Sequence, residues 1–272
     1  MLRAGGRSTR LRVELVCSRV SAFENTPTTL KGSHVSILLE VCIDSISSAK
    51  AAKEGGANRL EVCSSLAGGG TTPSFGLVEH CAIDLEMPVL MMIRPHDGNF
   101  VYNKDDLDAM LTDIEVAKSI GAQGVVFGAL TPNLELDLAV TKTLVETADE
   151  LEVTFHRAFD VVRDPLATLA TLEELGVKRV LTSGQKATAM EGADLLKQLV
   201  AESKSITILP GAGVNAENAK QLVQQTGVRE VHASASIGAD ETQSNGNVKF
   251  GSDRRVTSSD KVRAIVKALQ GL

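Results

Sequence analysis

From residue 37 onward, the chain alternates short apolar runs with segments of helical periodicity, and this alternation is the feature that most restricts its fold. Gly121, Gly176 and Gly227 each stand between a helical segment and the next apolar run, as glycines that end helices do. The runs predict eight strands, at residues 38–44, 59–64, 89–95, 124–130, 152–159, 178–184, 206–213 and 229–236. The clearest helices are predicted at residues 105–120, 137–150, 165–175 and 215–225.

Eight strand–helix units predict a closed barrel of parallel strands. Strands that alternate with helices form parallel sheets, because each right-handed crossover lays a helix on the face of the sheet. An open, doubly wound sheet is disfavoured, since no glycine-rich dinucleotide-binding motif follows the first strand. Barrels of this type span about 250 residues. The predicted fold is therefore α/β, a single-domain (β/α)8 TIM barrel over residues 37–272.

Two segments do not follow the alternation. Residues 1–22 carry five arginines and one acidic residue among serines and small residues. This composition predicts that residues 1–36 form either a disordered N-terminal tail or a weak organellar transit segment. Residues 237–258 are polar and rich in glycine, serine and asparagine. They predict a long loop after the eighth strand, at the barrel mouth, where it could act as a lid.

Charge and hydropathy argue against two classes of partner. The formal net charge of −6 and the lack of a basic stripe argue against nucleic acid. No apolar run approaches the roughly 20 residues that cross a bilayer, which argues against a membrane partner. The cysteines form no CxxC pattern, so reduced thiols and a cytoplasmic location are predicted. An organellar location is the alternative if residues 1–36 are a transit segment.

Ionisable side chains are predicted to point into the barrel. Helices cover the outside of a parallel barrel, so apolar strand positions face outward and the positions that alternate with them face inward. On the first strand, Val41 and Ile43 face the helices. The residues predicted to face inward are Glu40, Cys42 and Asp44 on strand 1, Glu61 and Cys63 on strand 2, Met92 and Arg94 on strand 3, Thr154, His156 and Ala158 on strand 5, and His232 and Ser234 on strand 8.

Converging charges of this kind indicate a functional site. Burying Glu40, Glu61, Arg94 and His156 is costly unless they pair with each other or with a ligand, and a purely structural barrel is filled by Val, Ile and Leu. The alternative is a buried ion-pair network, such as Arg94 with Glu40 or Glu61, that only closes the barrel.

The strand ends carry candidate catalytic and anion-binding residues. The predicted catalytic residues are His156, which is the natural proton-transfer group, and Glu40 or Glu61, which could serve as a second acid or base. Arg94 could bind a carboxylate or phosphate through two parallel hydrogen bonds, and Asp160 is a further candidate at the end of strand 5. Three further residues, Gly211, Gly213 and Ser234, are predicted to bind an anion at the mouth. The glycines there could equally form a tight strand-to-helix turn. The glycines at 68–70 could likewise form a mobile flap or a rigid turn.

Several segments of the sequence resemble those of a known family, the CutC copper-homeostasis proteins. The most specific segments are VTFHRAFD (153–160) and RVLTSG (179–184). Others are EVCIDS (40–45), GGANRLEVCSSLAGGGTTPS (55–74), MIRPHDGNFVY (92–102), GVVFGALT (124–131), PGAGV (210–214) and VHASAS (231–236). The resemblance implies a TIM barrel, often a homo-oligomer, that is associated with copper tolerance and binds Cu(I). The ligands that it implies are Cys42 and Cys63.

The chain departs from the family pattern at three positions. Ala212 replaces the middle glycine of a usual glycine triplet, and Ser236 stands where the family usually has arginine. His96 stands where the family usually has a second arginine after Pro95. The first two changes weaken the anion-binding prediction, and the third puts a titratable group in place of a fixed charge.

Two functions remain open from the sequence. The first is copper homeostasis, with Cu(I) bound by Cys42 and Cys63 and a thioether available from Met92, because soft sulfur ligands select Cu(I). Buried free cysteines also occur as plain small hydrophobic residues. The alternative is a lyase or isomerase that acts on a phosphorylated or carboxylated small metabolite. Copper binding by two thiolates gives no role to four other ionisable residues, and their presence favours catalysis. These residues are Glu40, Arg94, His156 and Asp160.

Overall fold

The structure of the protein, a computed structural model, describes residues 37–239, 242–245, 247–251 and 254–272. The prediction for residues 1–36 lies outside the described residues. Within them, the eight predicted barrel strands are confirmed. They are β1 (Leu38–Ile43), β2 (Arg59–Val62), β3 (Val89–Met92), β4 (Gly124–Phe127), β5 (Glu152–Phe155), β6 (Arg179–Thr182), β7 (Thr207–Pro210) and β8 (Glu230–Ala233).

One helix follows each barrel strand. The helices are α1 (Ile46–Gly55), α2 (Phe75–Glu79), α3 (Lys104–Ser119), α4 (Leu138–Ala148), α5 (Pro165–Glu174), α6 (Ala193–Glu202), α7 (Ala219–Thr226) and α8 (Ser259–Leu269). A π-helical turn at His80–Asp84 continues α2, and short 3-10 turns occupy Leu66–Gly68 and Arg157–Val161. None of the helices in the described part of the chain combines the length and the apolar character that crossing a membrane requires.

The strands form one parallel sheet that curls into a barrel. The hydrogen-bonded order is β7-β6-β5-β4-β3-β2-β1-β8, and each strand in this order pairs in parallel with the next. The two ends of this order, β7 and β8, lie against each other and bring the barrel almost to closure. The predicted (β/α)8 TIM barrel is confirmed.

The strands end earlier than the sequence pattern predicts. Strand 5 was predicted to reach residue 159, but β5 stops at Phe155 because His156 begins a 3-10 turn. The His156 side chain accepts a hydrogen bond from the backbone N–H of Ala158, and this contact starts the turn. The position of His156 is therefore set by a hydrogen bond within the loop and not by the hydrogen bonds between strands.

The core has two separate layers, as the alternation predicts. Val41, Ile43, Leu60 and Val62 belong to the large apolar cluster between the strands and the helices. A second, smaller cluster contains Cys63, Leu90, Met92 and Val126, the alternate residues on β3, β4 and the end of β2. The inner layer carries the ionisable groups, and the outer layer supplies most of the apolar burial.

Two short antiparallel pairs occur in the region after β8, which the sequence predicts as a long loop. Here β9 (Ser236–Gly238) pairs with β12 (Arg255–Thr257), and β10 (Gln243–Ser244) pairs with β11 (Lys249–Phe250). The backbone N–H of Thr257 donates to the hydroxyl of Ser48 in α1, at 3.1 Å, which ties this region to the barrel. Its action as a lid stays a prediction.

Candidate functional site

Three neighbouring strands bring the inward residues of the site together. In the register of the sheet, Glu40 on β1 lies opposite Arg59 on β2 and opposite His232 on β8. Two residues further along, Cys42 lies opposite Glu61. Because β1 is the central strand of the three, its inward side chains meet those of both neighbours.

Cys42, Glu61 and His232 are the centre of this group. The Cys42 sulfur, a Glu61 carboxylate oxygen and a ring nitrogen of His232 all lie within 4.8 Å of one another, and all three residues are buried. The distance from His232 Nε2 to Glu61 Oε2 is 3.8 Å. The Cys63 thiol approaches the same carboxylate oxygen at 3.6 Å. Both thiols that the sequence singles out therefore lie close to the Glu61 carboxylate.

Glu40 holds His232 from the other side. His232 Nδ1 lies 2.7 Å from Glu40 Oε1, and Arg59 Nε donates to Glu40 Oε2 at 2.6 Å. Burial disfavours the ionised form of Glu40, but the hydrogen bond from His232 and the charge of Arg59 outweigh it and lower its pKa to about 2. Glu40 is thus an anion that keeps Nδ1 of His232 occupied and leaves Nε2 facing Cys42 and Glu61.

Burial and neighbouring charges also shift the pKa values of three other groups at the centre, which are His232, Glu61 and Cys63. Burial by itself lowers the pKa of His232, but Cys42, Glu61 and the Glu40 hydrogen bond raise it well above its ordinary value. Burial raises the pKa of the Glu61 carboxyl despite the charge of His232. Burial, together with Glu61, also raises the pKa of the Cys63 thiol well above its ordinary value. The centre thus holds an ionised Glu40 beside a protonated imidazole.

An ion-pair chain that the sequence analysis missed continues from Glu40. Arg59 Nη2 donates to Glu230 at 2.5 Å, Glu230 lies 3.3 Å from Arg179 Nε, and Arg179 contacts Glu152. Each of these residues is the first of its strand. The inward alternation was the available signal, since Arg59, Glu152 and Glu230 stand two positions before the predicted inward residues Glu61, Thr154 and His232.

Arg94 pairs with backbone carbonyls. Its Nη1 donates to the carbonyls of Gly68 and Gly70 at 2.9 and 2.8 Å, and its Nη2 donates to the carbonyl of Gly98 at 2.7 Å. Its guanidinium lies 5.1 Å from the centre of the Phe100 ring. Among the described residues, the arginine that pairs with the Glu40 carboxylate is Arg59 and not Arg94. Arg94 instead holds the glycine loop after β2 in place.

His156 is buried, and none of the described residues offers it a carboxylate partner. Its Nδ1 accepts from the Ala158 N–H at 3.2 Å, and its ring lies 4.9 Å from the Phe100 ring. Within the described part of the chain, its Nε2 has no hydrogen-bond partner. Burial, with the positive charge of Arg94, lowers the pKa of His156 to about 3. The imidazole is therefore neutral near pH 7.

Asp160 is occupied by the loop after β6. One carboxylate oxygen accepts from the Thr182 hydroxyl at 2.5 Å and from the backbone N–H of Ser183 at 2.9 Å. The other accepts from Arg157 Nε at 2.7 Å. These contacts position the ends of β5 and β6 against each other.

Two of the predicted anion-binding residues, Gly211 and Gly213, lie in a turn after β7. Ala212 and Gly213 have φ angles of 75° and 76°, and the Gly213 carbonyl accepts from the side chains of Asn215 and Asn218. Gly211 packs against Leu181 and His232, while Ser234 is exposed. These contacts account for the turn, and anion binding by Gly211, Gly213 and Ser234 stays a prediction.

The chain is similar in sequence to proteins of the CutC family. The family model of the CutC family matches residues 37–237. A family protein CutC from Pasteurella multocida is 50% identical over 197 residues, which cover 72% of this chain and 81% of the relative. A copper homeostasis protein cutC homolog from Mus musculus is 42% identical over 244 residues, which cover 86% of this chain and 90% of the relative.

Solved structures agree with this assignment. The crystal structure of CutC from Streptococcus agalactiae superposes with a TM-score of 0.70 at 34% identity, covering 73% of this chain and 98% of that one. Thiamine phosphate pyrophosphorylase from Pyrococcus furiosus superposes with a TM-score of 0.56 at 18% identity, covering 86% of this chain and 96% of that one, and shows the fold alone. On the family match, the sequence relatives and the shared barrel, the chain belongs to the CutC family.

Proposed function

We propose that this protein serves copper homeostasis by binding Cu(I) inside its barrel, with Cys42 and Cys63 as the ligands. The observation that carries the proposal is the burial of both thiols in the barrel interior, on β1 and directly after β2, with each thiol close to the Glu61 carboxylate. Thiolates are soft ligands that select Cu(I) over hard cations. The name of the Mus musculus relative refers to the same role.

Met92 and Gly70 add to the sulfur-rich character of this region. Met92 belongs to the same inner cluster as Cys63. A Cβ on Gly70 would lie 3.2 Å from the Cys63 sulfur and 3.3 Å from the terminal methyl of Met92. The glycine loop held by Arg94 therefore covers Cys63 closely, and a thioether is available beside the thiol.

The test is an anaerobic titration of the reduced full-length chain with Cu(I) against a chromophoric chelator. We expect one-to-one binding in the wild type, weakening in Cys42→Ser and in Cys63→Ser, and loss in the double variant. Cys81→Ser is the matched control, because Cys81 is also buried but belongs to the outer core. Copper binding that the double variant retains at wild-type strength would refute the proposal.

The alternative is a lyase or isomerase acting on a phosphorylated or carboxylated small metabolite, with His156, Glu40, Glu61, Arg94 and Asp160 as catalytic residues. One observation favours it: His156 is neutral and accepts a hydrogen bond at Nδ1, so its Nε2 carries the hydrogen. This N–H has no partner among the described residues and can donate to a substrate oxygen. The protein contacts of Glu40, Arg94 and Asp160 argue for structural roles instead.

We extend the proposal to the setting of the protein. Cys42, Cys63 and Cys81 are free thiols, in line with a cytoplasmic, reducing compartment. The alternative is organellar, if residues 1–36 act as a transit segment. A homo-oligomer without a nucleic-acid or membrane partner completes the proposal, and light scattering on the purified chain tests the oligomer directly.

A further inference from the structure

We propose that Cys42, Glu61 and His232 form a three-ligand site for a borderline divalent cation such as Zn²⁺ or Co²⁺. The site shares Cys42 with the proposed Cu(I) pair but takes its other two ligands from β2 and β8, without Cys63. It does not rest on copper binding, so the two proposals can fail separately.

The donor set matches this class of cation. Thiolate sulfur, imidazole nitrogen and carboxylate oxygen are the three donor types of protein zinc sites, whereas Cu(I) is better served by two thiolates. Three protein ligands leave the fourth tetrahedral position open to water or to another small ligand. On binding, the cation replaces the proton of the Cys42 thiol and the proton on His232 Nε2, and both protons leave to solvent.

The distances require little movement. Ligand lengths of about 2.0–2.3 Å place neighbouring donors of a tetrahedral zinc ion about 3.3–3.6 Å apart. His232 Nε2 and Glu61 Oε2 are already separated by 3.8 Å, and all three donors lie within 4.8 Å of one another. Side-chain movements of roughly 1 Å therefore bring the donors around one ion.

The histidine is already oriented for this role. Metal-binding histidines commonly donate the other ring N–H to a carboxylate, which sets the direction of the ring and raises the basicity of the ligand nitrogen. Here Nδ1 of His232 lies 2.7 Å from Glu40, and Glu40 is held in turn by Arg59 at 2.6 Å. Glu40 is thus a positioning residue for His232 Nε2.

A buried carboxylate oxygen gives an independent reason to expect a ligand. Within the described residues, Glu61 Oε1 has no hydrogen-bond partner, although Glu61 is only 3% exposed. Leaving a buried polar atom unpaired is costly, and most such atoms in native proteins are satisfied. A cation coordinated by the Glu61 carboxylate removes this cost.

Cys63 has a different environment. Its thiol approaches Glu61 Oε2 and otherwise packs with Leu90, Met92 and Val126. Cys63 therefore acts on this site only through Glu61, which separates the two proposals by experiment: Cu(I) binding needs both thiols, and the divalent site needs one.

The test uses Co²⁺ as the probe, added anaerobically to the reduced full-length chain, with Zn²⁺ as the competitor. We expect a sulfur-to-cobalt charge-transfer band with the intensity of one thiolate, which Zn²⁺ abolishes. Cys42→Ser should remove the band, and His232→Gln and Glu61→Gln should weaken binding at least tenfold. Glu40→Gln should weaken it by about 10–100-fold. Cys63→Ser should leave the band unchanged.

Two results overturn the inference: a wild-type complex without the thiolate band, or a band that Cys63→Ser removes as completely as Cys42→Ser. The wild-type spectrum decides the first point even if a variant does not fold, and circular dichroism checks each variant. Retained Co²⁺ binding with no Cu(I) binding would refute the copper proposal alone. The reverse result would refute the divalent site alone.

Discussion

His156 and His232 are both buried at the inner face of the barrel, yet their surroundings drive their protonation in opposite directions. His232 faces two carboxylates, Glu40 and Glu61, which stabilise its imidazolium form. His156 faces Arg94 and the Phe100 ring, and neither of them stabilises the imidazolium form. The residue type is the same, so the charge is decided by the neighbours that each strand end receives from other strands and loops.

The lowered pKa of His156 makes a prediction about stability and pH. In the unfolded chain this imidazole takes up a proton near pH 6.5, but in the folded protein it does so only at about pH 3. Between these values the unfolded state binds the extra proton, so stability is lost as the pH falls below about 6.5. The loss approaches about 1.4 kcal/mol per pH unit from this group alone.

Urea unfolding at pH 7.5, 6.0 and 5.0 checks this prediction by comparing the wild type with His156→Asn. Asparagine can still accept from the Ala158 N–H, as a helix N-cap does. We expect the wild type to lose more stability than the variant as the pH falls, while the contribution of His232, which has the opposite sign, cancels between them. Parallel pH profiles would contradict the assignment.

At the scale of elements, the first and last helices of the barrel meet at a glycine. A Cβ on Gly55, the last residue of α1, would lie 2.4 Å from the Cβ of Val262 in α8 and 2.8 Å from the backbone oxygen of Ser259. Neither contact involves the flexible end of a side chain, so α8 must shift to make room. The close approach of these helices ties the C-terminal segment to the start of the barrel.

Gly55→Ala should therefore destabilise the protein by about 1–3 kcal/mol, the usual cost of overpacking, even though alanine is the better helix former. Gly76→Ala in α2 is the matched control, because no atom lies within 4 Å of its added Cβ. We expect the control to leave stability unchanged or to raise it by up to about 1 kcal/mol. Equal stability of both variants in urea unfolding would contradict this packing argument.

At the scale of the whole molecule, buried and partly buried charges form one chain across five strands. Four of its members are the first residues of their strands: Glu152 of β5, Arg179 of β6, Glu230 of β8 and Arg59 of β2. Glu40 on β1 links this chain to His232. Glu230 joins two buried arginines, across the place where β7 and β8 end the hydrogen-bonded order. The N-terminal end of a TIM barrel is typically the stability face. We infer that the chain holds the barrel closed beneath the candidate site.

Glu230→Gln should destabilise the protein by about 3–5 kcal/mol, because it removes one member of a buried ion-pair network and leaves arginine charges with fewer partners. Asp108→Asn is the control, since its pair with Lys104 is exposed and worth about 1 kcal/mol or less. Urea unfolding at pH 7 measures both. A loss in Glu230→Gln no larger than that of the control would mean that the chain contributes little to closure.

The sequence by itself determined the barrel and most of the inward set of residues. The predictions for Ala158 and Ser234 are wrong, because Ala158 packs in the outer cluster and Ser234 is exposed. Period-2 and period-3.6 patterns record which side of each element is apolar, and this information is local. Eight alternating units then allow few arrangements, because parallel crossovers have one hand. The two layers of the core at Val41 and Met92 follow from the same alternation.

Only the tertiary structure decided which inward groups are partners. The sequence pattern offers Arg94 as the partner of Glu40 or Glu61, but the register puts Arg59 opposite Glu40, and the loop after β2 presents its carbonyls to Arg94. Likewise, Glu61 comes to lie beside Cys42 and His232 through the pairing of β1 with β2 and β8. Register and loop path depend on contacts between residues far apart in the chain, and no local pattern records them.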